Sequence, residues 1–271
     1  MRLLLLLLLA CTGAPKDDTG SAADTDTDTD ADTDTDTDAD TDVVRNSAIS
    51  GMVVFEDGSP ASGMEVQICS TVCRYLTTDA AGYFGIANLE AALFKVDAIG
   101  ASYGTPGYGN ALVGVDLAQD QVFEIAPAMV APPIDGPVVV NEASGSQSYT
   151  AGQVTLTFAA SSLSMPFGAV DSDTGNFDLY AGVLEGAAVP AHWAVTPSFT
   201  VNLLPWGSEL EAPMDVVVTG LTSADGTYDV YALEEYGAVE GPLGTATVVA
   251  GTATASGLQP AVWTWLLFVP A

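Results

Sequence analysis

The residues with the most explicit chemical possibilities sit around one glycine turn. Asp171, Asp173, Asn176 and Asp178 put three carboxylates and an amide within eight positions flanking Gly175. Oxygen donors in that density suit a hard cation, Ca²⁺ above all, because such ions take six to eight oxygen ligands. No Glu follows at the spacing of a twelve-residue calcium loop, so a plain acidic turn remains the alternative. A second candidate is the glycine-rich stretch Gly100–Asn110, where Tyr103 and Tyr108 could offer flat rings for stacking on a sugar or peptide. Rings folded back over a sheet edge are the alternative there. Cys69 and Cys73 flank Ser70-Thr71-Val72, close enough to join as a disulfide if their Cβ atoms converge. A two-cysteine metal or redox site would lack further ligands. His192 is the single histidine, which excludes a His-rich metal centre and a pair of imidazole acid–base groups. It stands beside Trp193 with no Ser or Cys in a nucleophile-elbow setting. No catalytic residue can be named. Trp193, Trp206, Trp263 and Trp265 are expected in core and edge packing rather than as a ligand shelf.

The charge balance narrows the partners. The 271 residues carry 35 acidic and 5 basic side chains, a formal net charge of −30. Nucleic-acid binding needs clustered Lys and Arg to displace counterions, so it is excluded; anionic lipid surfaces are excluded by the same sign. Much of this charge is local. Every even position from Asp24 to Asp42 is Asp, in an Ala-Asp-Thr-Asp octet that begins at Ala23 and recurs at Ala31 and Ala39. With no large apolar side chain to bury, residues 12–47 are expected to be a disordered tether. Neighbouring Asp residues would lie about 7 Å apart in an extended chain, inside a Debye length of about 8 Å, and would stretch it. The tract has neither the turn glycine nor the bidentate Glu of a calcium loop. The rest of the chain is apolar enough to fold, the hydrophobic fraction of the whole being 48%.

The amino end carries a location signal. Met1-Arg2, the leucine run Leu3–Leu9 and Ala10-Cys11 form a charged start, an apolar core and a small residue. That run is too short to cross a bilayer, which takes about 20 apolar residues. Leu8-Leu9-Ala10-Cys11 resembles the lipobox of bacterial lipoproteins. The resemblance implies cleavage after residue 10, a diacylglycerol on the Cys11 thiol, and a membrane contact made through that lipid. Thr12, in place of Asp, points to the outer membrane or cell surface. With Cys11 lipidated, Cys69 and Cys73 are an even pair in an oxidising compartment, which favours the disulfide.

The elements that must carry these residues read as strands. In residues 48–130, Ala48–Phe55, Gly63–Cys69, Cys73–Thr78, Tyr83–Ile86, Phe94–Ala98, Leu112–Val115 and Gln121–Ile125 are β-rich and separated by turn residues. Ile49-x-Gly51-x-Val53, Asp57-Gly58-x-Pro60-x-x-Gly63-x-x-Val66, Thr78-Asp79-x-x-Gly82-x-Phe84 and Asn88-Leu89 together resemble a carboxypeptidase regulatory-like (transthyretin-like) domain. That resemblance implies an accessory β-sandwich without catalytic residues. It departs at Glu90-Ala91-Ala92-Leu93, where the family has a Pro/Gly-rich turn. Gly58, Gly63 and Gly82 are expected at turns that need positive φ.

Residues 131–137, Ala-Pro-Pro-Ile-Asp-Gly-Pro, read as a stiff linker. Residues 138–271 contain no Lys or Arg, so this second domain should rest on apolar burial and backbone pairing without internal salt bridges. Strands are expected at Val154–Phe158, Asn176–Tyr180, Phe199–Leu204, Met214–Thr219, Tyr228–Leu233, Ala246–Val249 and Ala261–Val269, with turns at Asp225-Gly226 and Tyr236-Gly237. Gln153–Leu163, Leu204-Pro205-Trp206-Gly207 with Pro213-Met214-Asp215-Val216, and Val262–Val269 resemble a ZU5-like sandwich, which implies an interaction module. The fold class is therefore all-β: two tandem β-sandwich domains after a disordered Asp/Thr-rich tether.

These features point to a non-catalytic, lipid-anchored protein of the bacterial cell envelope that displays binding or adhesion modules on an acidic stalk. An envelope glycan or a protein would be its partner, and no cofactor is expected apart from calcium at the Asp171 turn. A structural envelope spacer without a ligand and a hydrolase using carboxylates of the C-terminal domain are the alternatives.

Overall fold

A computed structural model describes residues 46–100, 107–166 and 168–271. Strands dominate their regular structure, the helical segments being two single-turn 3₁₀ helices at Ala160–Ser162 and Gly186–Ala188. Seven strands form the first module: β1 (Ser47–Phe55), β2 (Glu65–Cys69), β3 (Cys73–Thr77), β4 (Tyr83–Leu89), β5 (Ala92–Ile99), β6 (Ala111–Leu117) and β7 (Val122–Ala131). They make a three-stranded sheet, β4-β1-β7, and a four-stranded sheet, β3-β2-β5-β6. β1 pairs antiparallel with β4 and parallel with β7. The strands alternate as half-buried strands should: Val66 and Ile68 point inward from β2, while Glu65 and Gln67 point away. Val66, Ile68, Val96 and Val113 from the larger sheet meet Ile49, Val53 and Ile125 from the smaller in one core.

The turn chemistry follows the sequence. Gly58, Gly63 and Gly82 adopt φ of 80°, 77° and 76°. Gly82 is constrained twice, because a Cβ there would also lie 2.4 Å from the Val53 carbonyl oxygen. Buried Thr78 holds the neighbouring loop: its hydroxyl donates to the Ala61 carbonyl and accepts the Met64 N–H at 2.9 Å. The β2–β3 hairpin closes on a disulfide between Cys69 and Cys73, which are register partners. The chain passes from β4 to β5 through Glu90-Ala91 alone, with Asn88 at φ 59° just before it.

The second module contains β8 (Asp135–Asn141), β9 (Ser146–Ala151), β10 (Val154–Ala159), β11 (Leu163–Ser164), β12 (Asn176–Glu185), β13 (Phe199–Leu204), β14 (Glu209–Leu210), β15 (Met214–Val218), β16 (Gly226–Leu233), β17 (Val239–Val249), β18 (Thr252–Leu258) and β19 (Trp265–Pro270). Ten of these form one sheet in the order β8-β12-β13-β19-β16-β17-β18-β15-β10-β9. Its end strands β8 and β9 lie against each other, so the sheet folds over itself around an apolar core. Aromatic rings fill that core: Phe158 meets Trp263 edge-on at 5.0 Å, and Phe199 stacks on Phe268 at 4.3 Å.

β13 is buried along its whole length, and β19 along its first four residues. Phe199, Val201, Leu203, Leu266 and Phe268 face the inner core. The opposite face carries Trp265 and Leu267, which join Leu184, Trp193 and Leu233 around Leu112 of β6. Both faces are apolar because the first module covers the outer one, and the two modules pack as one compact unit. Contact is close enough to require glycine: a Cβ on Gly114 would stand 1.9 Å from the Tyr236 carbonyl oxygen. Polar bonds cross the same boundary. Trp193 Nε1 donates to the Leu112 carbonyl at 3.4 Å, and Tyr236 Oη donates to the Ser70 carbonyl at 3.4 Å. Glu235, in the module without cations, finds one in the other: Lys95 Nζ lies 3.0 Å from its carboxylate. The chain between the modules is tied in, with Gly109 N–H donating to Pro132 O and Ile134 N–H to Gly107 O.

Candidate functional site

The period of two in β5 determines what the first module shows its neighbour. Phe94, Val96 and Ala98 point into the core, which turns Lys95, Asp97 and Ile99 to the outer face. The register continues this face across the sheet. Gln67 is opposite Tyr75 on one side and Asp97 on the other, and Asp97 is opposite Leu112. An isolated sandwich would leave that row in water. Here the second module lies over it, and the two surfaces enclose a cleft of about 440 Å³. One wall carries Glu65, Gln67, Tyr75, Lys95, Asp97 and Asn110; Trp206, Glu209 and Glu235 face them from the other. The volume falls in the range of roughly 300–1,000 Å³ usual for small-ligand sites.

Asp97 is the unusual group in this cleft. It is 2% exposed. Its Oδ2 accepts a bond from Asn110 Nδ2 at 3.2 Å, and Asn110 Oδ1 in turn accepts the Gly100 N–H at 2.9 Å. Oδ1 has no hydrogen-bond partner. Burial pushes the Asp97 carboxyl up to about 7, against the opposing pull of the Lys95 ammonium and the Asn110 amide. Lys95 is itself committed to Glu235. Across the cleft the half-buried Trp206 also has an unpartnered Nε1–H. The other buried side-chain atoms without partners, on Thr200, Asn202, Trp263 and Trp265, line neither this cleft nor the cavity beside it. Tyr75, 60% exposed, adds an aromatic ring fixed by the bond from Gln67 Nε2 to its hydroxyl at 2.8 Å. The cleft thus brings together a buried acceptor, a buried donor and two rings, fittings that suit a polar ligand with flat apolar faces.

Pro166 and Trp206 are shared with a second cavity of about 930 Å³. Asp171, Asp173, Asn176 and Asp178 all line it. Their polar atoms are partly engaged in holding the turn. Asp171 Oδ1 accepts the N–H groups of Asp173 and Thr174 at 2.9 and 3.1 Å, and Asn176 Oδ1 accepts Asn141 Nδ2 at 3.0 Å. Among the described residues no three His, Cys, Asp or Glu side chains gather in a metal-holding group. Tyr180, also on this wall, has its phenol raised by burial and then by the Asp178 carboxylate.

The remaining candidates lie elsewhere. The Tyr108 ring stacks on Phe55 at 4.0 Å and lines neither cavity. Tyr103 and Cys11 fall outside the described residues. His192 is half-buried, its Nε2 3.4 Å from the Ala128 carbonyl, and burial keeps its pKa below the usual histidine value. Trp193, Trp263 and Trp265 are core residues. Trp206 is the indole that lines both cavities, and residue type alone singles out neither it nor Asp97. The alternation in β5 does put Lys95 and Asp97 on one face, but only the covering module makes Asp97 a buried carboxyl.

The comparisons with known proteins give little to build on. No protein-family model matches the sequence, and no curated protein does either. Among solved structures, a DUF3823 family protein from Parabacteroides merdae aligns over 83% of this chain and 99% of its own, at 11% identity and a TM-score of 0.27. A streptococcal ancillary pilin aligns over 85% of this chain and 56% of its own, at 15% identity and a TM-score of 0.28. The Bacillus anthracis TIE protein aligns over 78% and 43%, at 11% identity and a TM-score of 0.29. At scores this low nothing about ligand or activity transfers from them. Among the described residues no helix is long and apolar enough to cross a membrane.

Proposed function

We propose that this chain is a non-catalytic binding protein of the bacterial cell envelope, anchored by a lipid on Cys11 and carried on the acidic tether of residues 12–47. In this reading a carboxypeptidase regulatory-like sandwich and a ZU5-like sandwich are displayed together, and their cleft takes an envelope glycan. The observation that carries it is that Asp97 and Trp206, each with a buried polar atom lacking a hydrogen-bond partner, line one cleft beside Tyr75. A polyhydroxylated chain supplies both partners from its hydroxyl groups and lays its C–H faces on the rings. The net charge of −30 selects against anionic polymers, leaving neutral or cationic ones.

The test is a panel of neutral, amine-bearing and anionic oligosaccharides titrated calorimetrically into the full-length chain held in detergent micelles. Binding of a neutral or amine-bearing member, weakened about tenfold in Trp206→Ala, is expected; loss of a ring contact of about 1.4 kcal/mol gives that factor. Absence of binding across the panel would overturn the reading in favour of a spacer. Turnover of any member would overturn its non-catalytic part. Mass spectrometry of the mature amino terminus tests the anchor, and an unmodified Cys11 thiol would refute it.

A further inference from the structure

Two features of the cleft go further than a neutral glycan requires. Its lining includes four carboxylates, on Glu65, Asp97, Glu209 and Glu235, against the single ammonium of Lys95, which is already bonded to Glu235. One of the four is sealed in: Asp97 lines the cleft yet is 2% exposed, and its Oδ1 is buried without any hydrogen-bond partner. A buried carboxylate oxygen left open is costly unless something supplies a proton or a positive charge to it. The aromatic rings of Tyr75 and Trp206 line the same space, and ring faces attract cations as well as sugar C–H groups.

From this we infer that the cleft recognises a protonated primary amine on a sugar ring, an amino-sugar residue of a glycan, with Asp97 Oδ1 accepting from the ammonium. The inference rests on the glycan-binding reading above and specifies its ligand. Trp206 Nε1 donates to a ring hydroxyl, which a free polyamine does not have. Glu65 and Glu209 raise the local concentration of cations at the mouth, while the Lys95–Glu235 pair holds the rim without competing for the ligand. Burial raises the Asp97 pKa against the pull of Lys95 and Asn110, and a bound ammonium would add to that pull.

Calorimetry on the full-length chain at near-neutral pH compares a glucosamine tetramer, its fully N-acetylated counterpart and spermidine. The glucosamine tetramer is expected to bind at least about tenfold more tightly than either, the factor that about 1.4 kcal/mol from a charge-assisted hydrogen bond gives. Asp97→Asn keeps the shape and nearly all of the net charge, so it should abolish the preference for the amine while leaving the acetylated tetramer within about twofold. A preference that survives in Asp97→Asn would assign it to the overall acidity of the chain and overturn the inference. Equal binding of the two tetramers would also overturn it, with the glycan reading intact; spermidine binding as tightly as glucosamine tetramer would reassign the site to polyamines. Should Asp97→Asn not fold, Glu209→Gln at the mouth gives the second reading: about threefold weaker amine binding is expected, and no change counts against the inference. If no sugar of any kind binds, the glycan reading itself fails.

Discussion

Replacing Asp97 with Asn should change the dependence of stability on pH in a predictable direction. The carboxyl is raised from 3.8 to about 7 in the folded chain because burial outweighs Lys95 and Asn110. Between these values the folded state holds a proton that the unfolded state has released. Stability from this group is therefore fully present below about pH 4 and is lost as pH rises through about 7. At about 1.4 kcal/mol per pH unit the full span is on the order of 4 kcal/mol, of which about 2.5 kcal/mol falls between about pH 5 and pH 8. The amide introduced by Asp97→Asn would be neutral throughout, with its carbonyl still able to accept the Asn110 amide. Urea unfolding of both proteins at a series of pH values isolates the contribution, because the other carboxylates are common to both. Asp97→Asn should gain on the wild type by about 2.5 kcal/mol across that interval. Parallel pH profiles would refute the claim that Asp97 is a buried carboxyl short of partners.

Three further outcomes test the packing. Trp265→Ala removes an indole fully buried between the modules and should cost about 3–5 kcal/mol in chemical unfolding, a loss below about 1 kcal/mol contradicting its place there. Gly114→Val drives a side chain into the Tyr236 carbonyl, so the intermodule contact should loosen, seen as faster amide exchange in β6 and β19; unchanged protection would contradict the close approach. Thr78→Val leaves the Ala61 carbonyl and Met64 N–H without their buried partner and should cost about 1–3 kcal/mol in the same unfolding assay, against near-neutrality if the loop is held otherwise.

Strands are legible in the sequence where local pattern determines them. In the first module each expected strand is present, and the glycines at 58, 63 and 82 take the positive φ read from their turns, because short strands and tight turns leave composition little freedom. β7 continues beyond the expected Ile125 to Ala131, through Pro127, which interrupts its apolar run. In the second module β8, β9, β18 and the two-residue β11 and β14 lie outside the segments expected as strands. Ser146–Ala151 and Thr252–Leu258 are edge-like or hydroxyl-rich segments whose strand character comes from pairing, with Ser148 and Thr150 bonded across to Thr157 and Thr155. Glu235, in a domain without Lys or Arg of its own, reaches Lys95 across the boundary. Phe199–Leu204 and Trp265–Phe268 carry the information that a second surface must cover them, since both alternating faces are apolar. What no local pattern could show is which surface does so, and therefore that Asp97 and Trp206 line one cleft.

The most direct measurement is a crystal structure of the full chain with the tightest oligosaccharide of the panel bound. The account predicts a sugar residue between Asp97 and Trp206, with a ligand donor on Asp97 Oδ1 and a ligand acceptor on Trp206 Nε1. A ligand seated on Tyr108, on the Asp171 turn alone, or on an outer sheet face, with the cleft filled only by water, would contradict it.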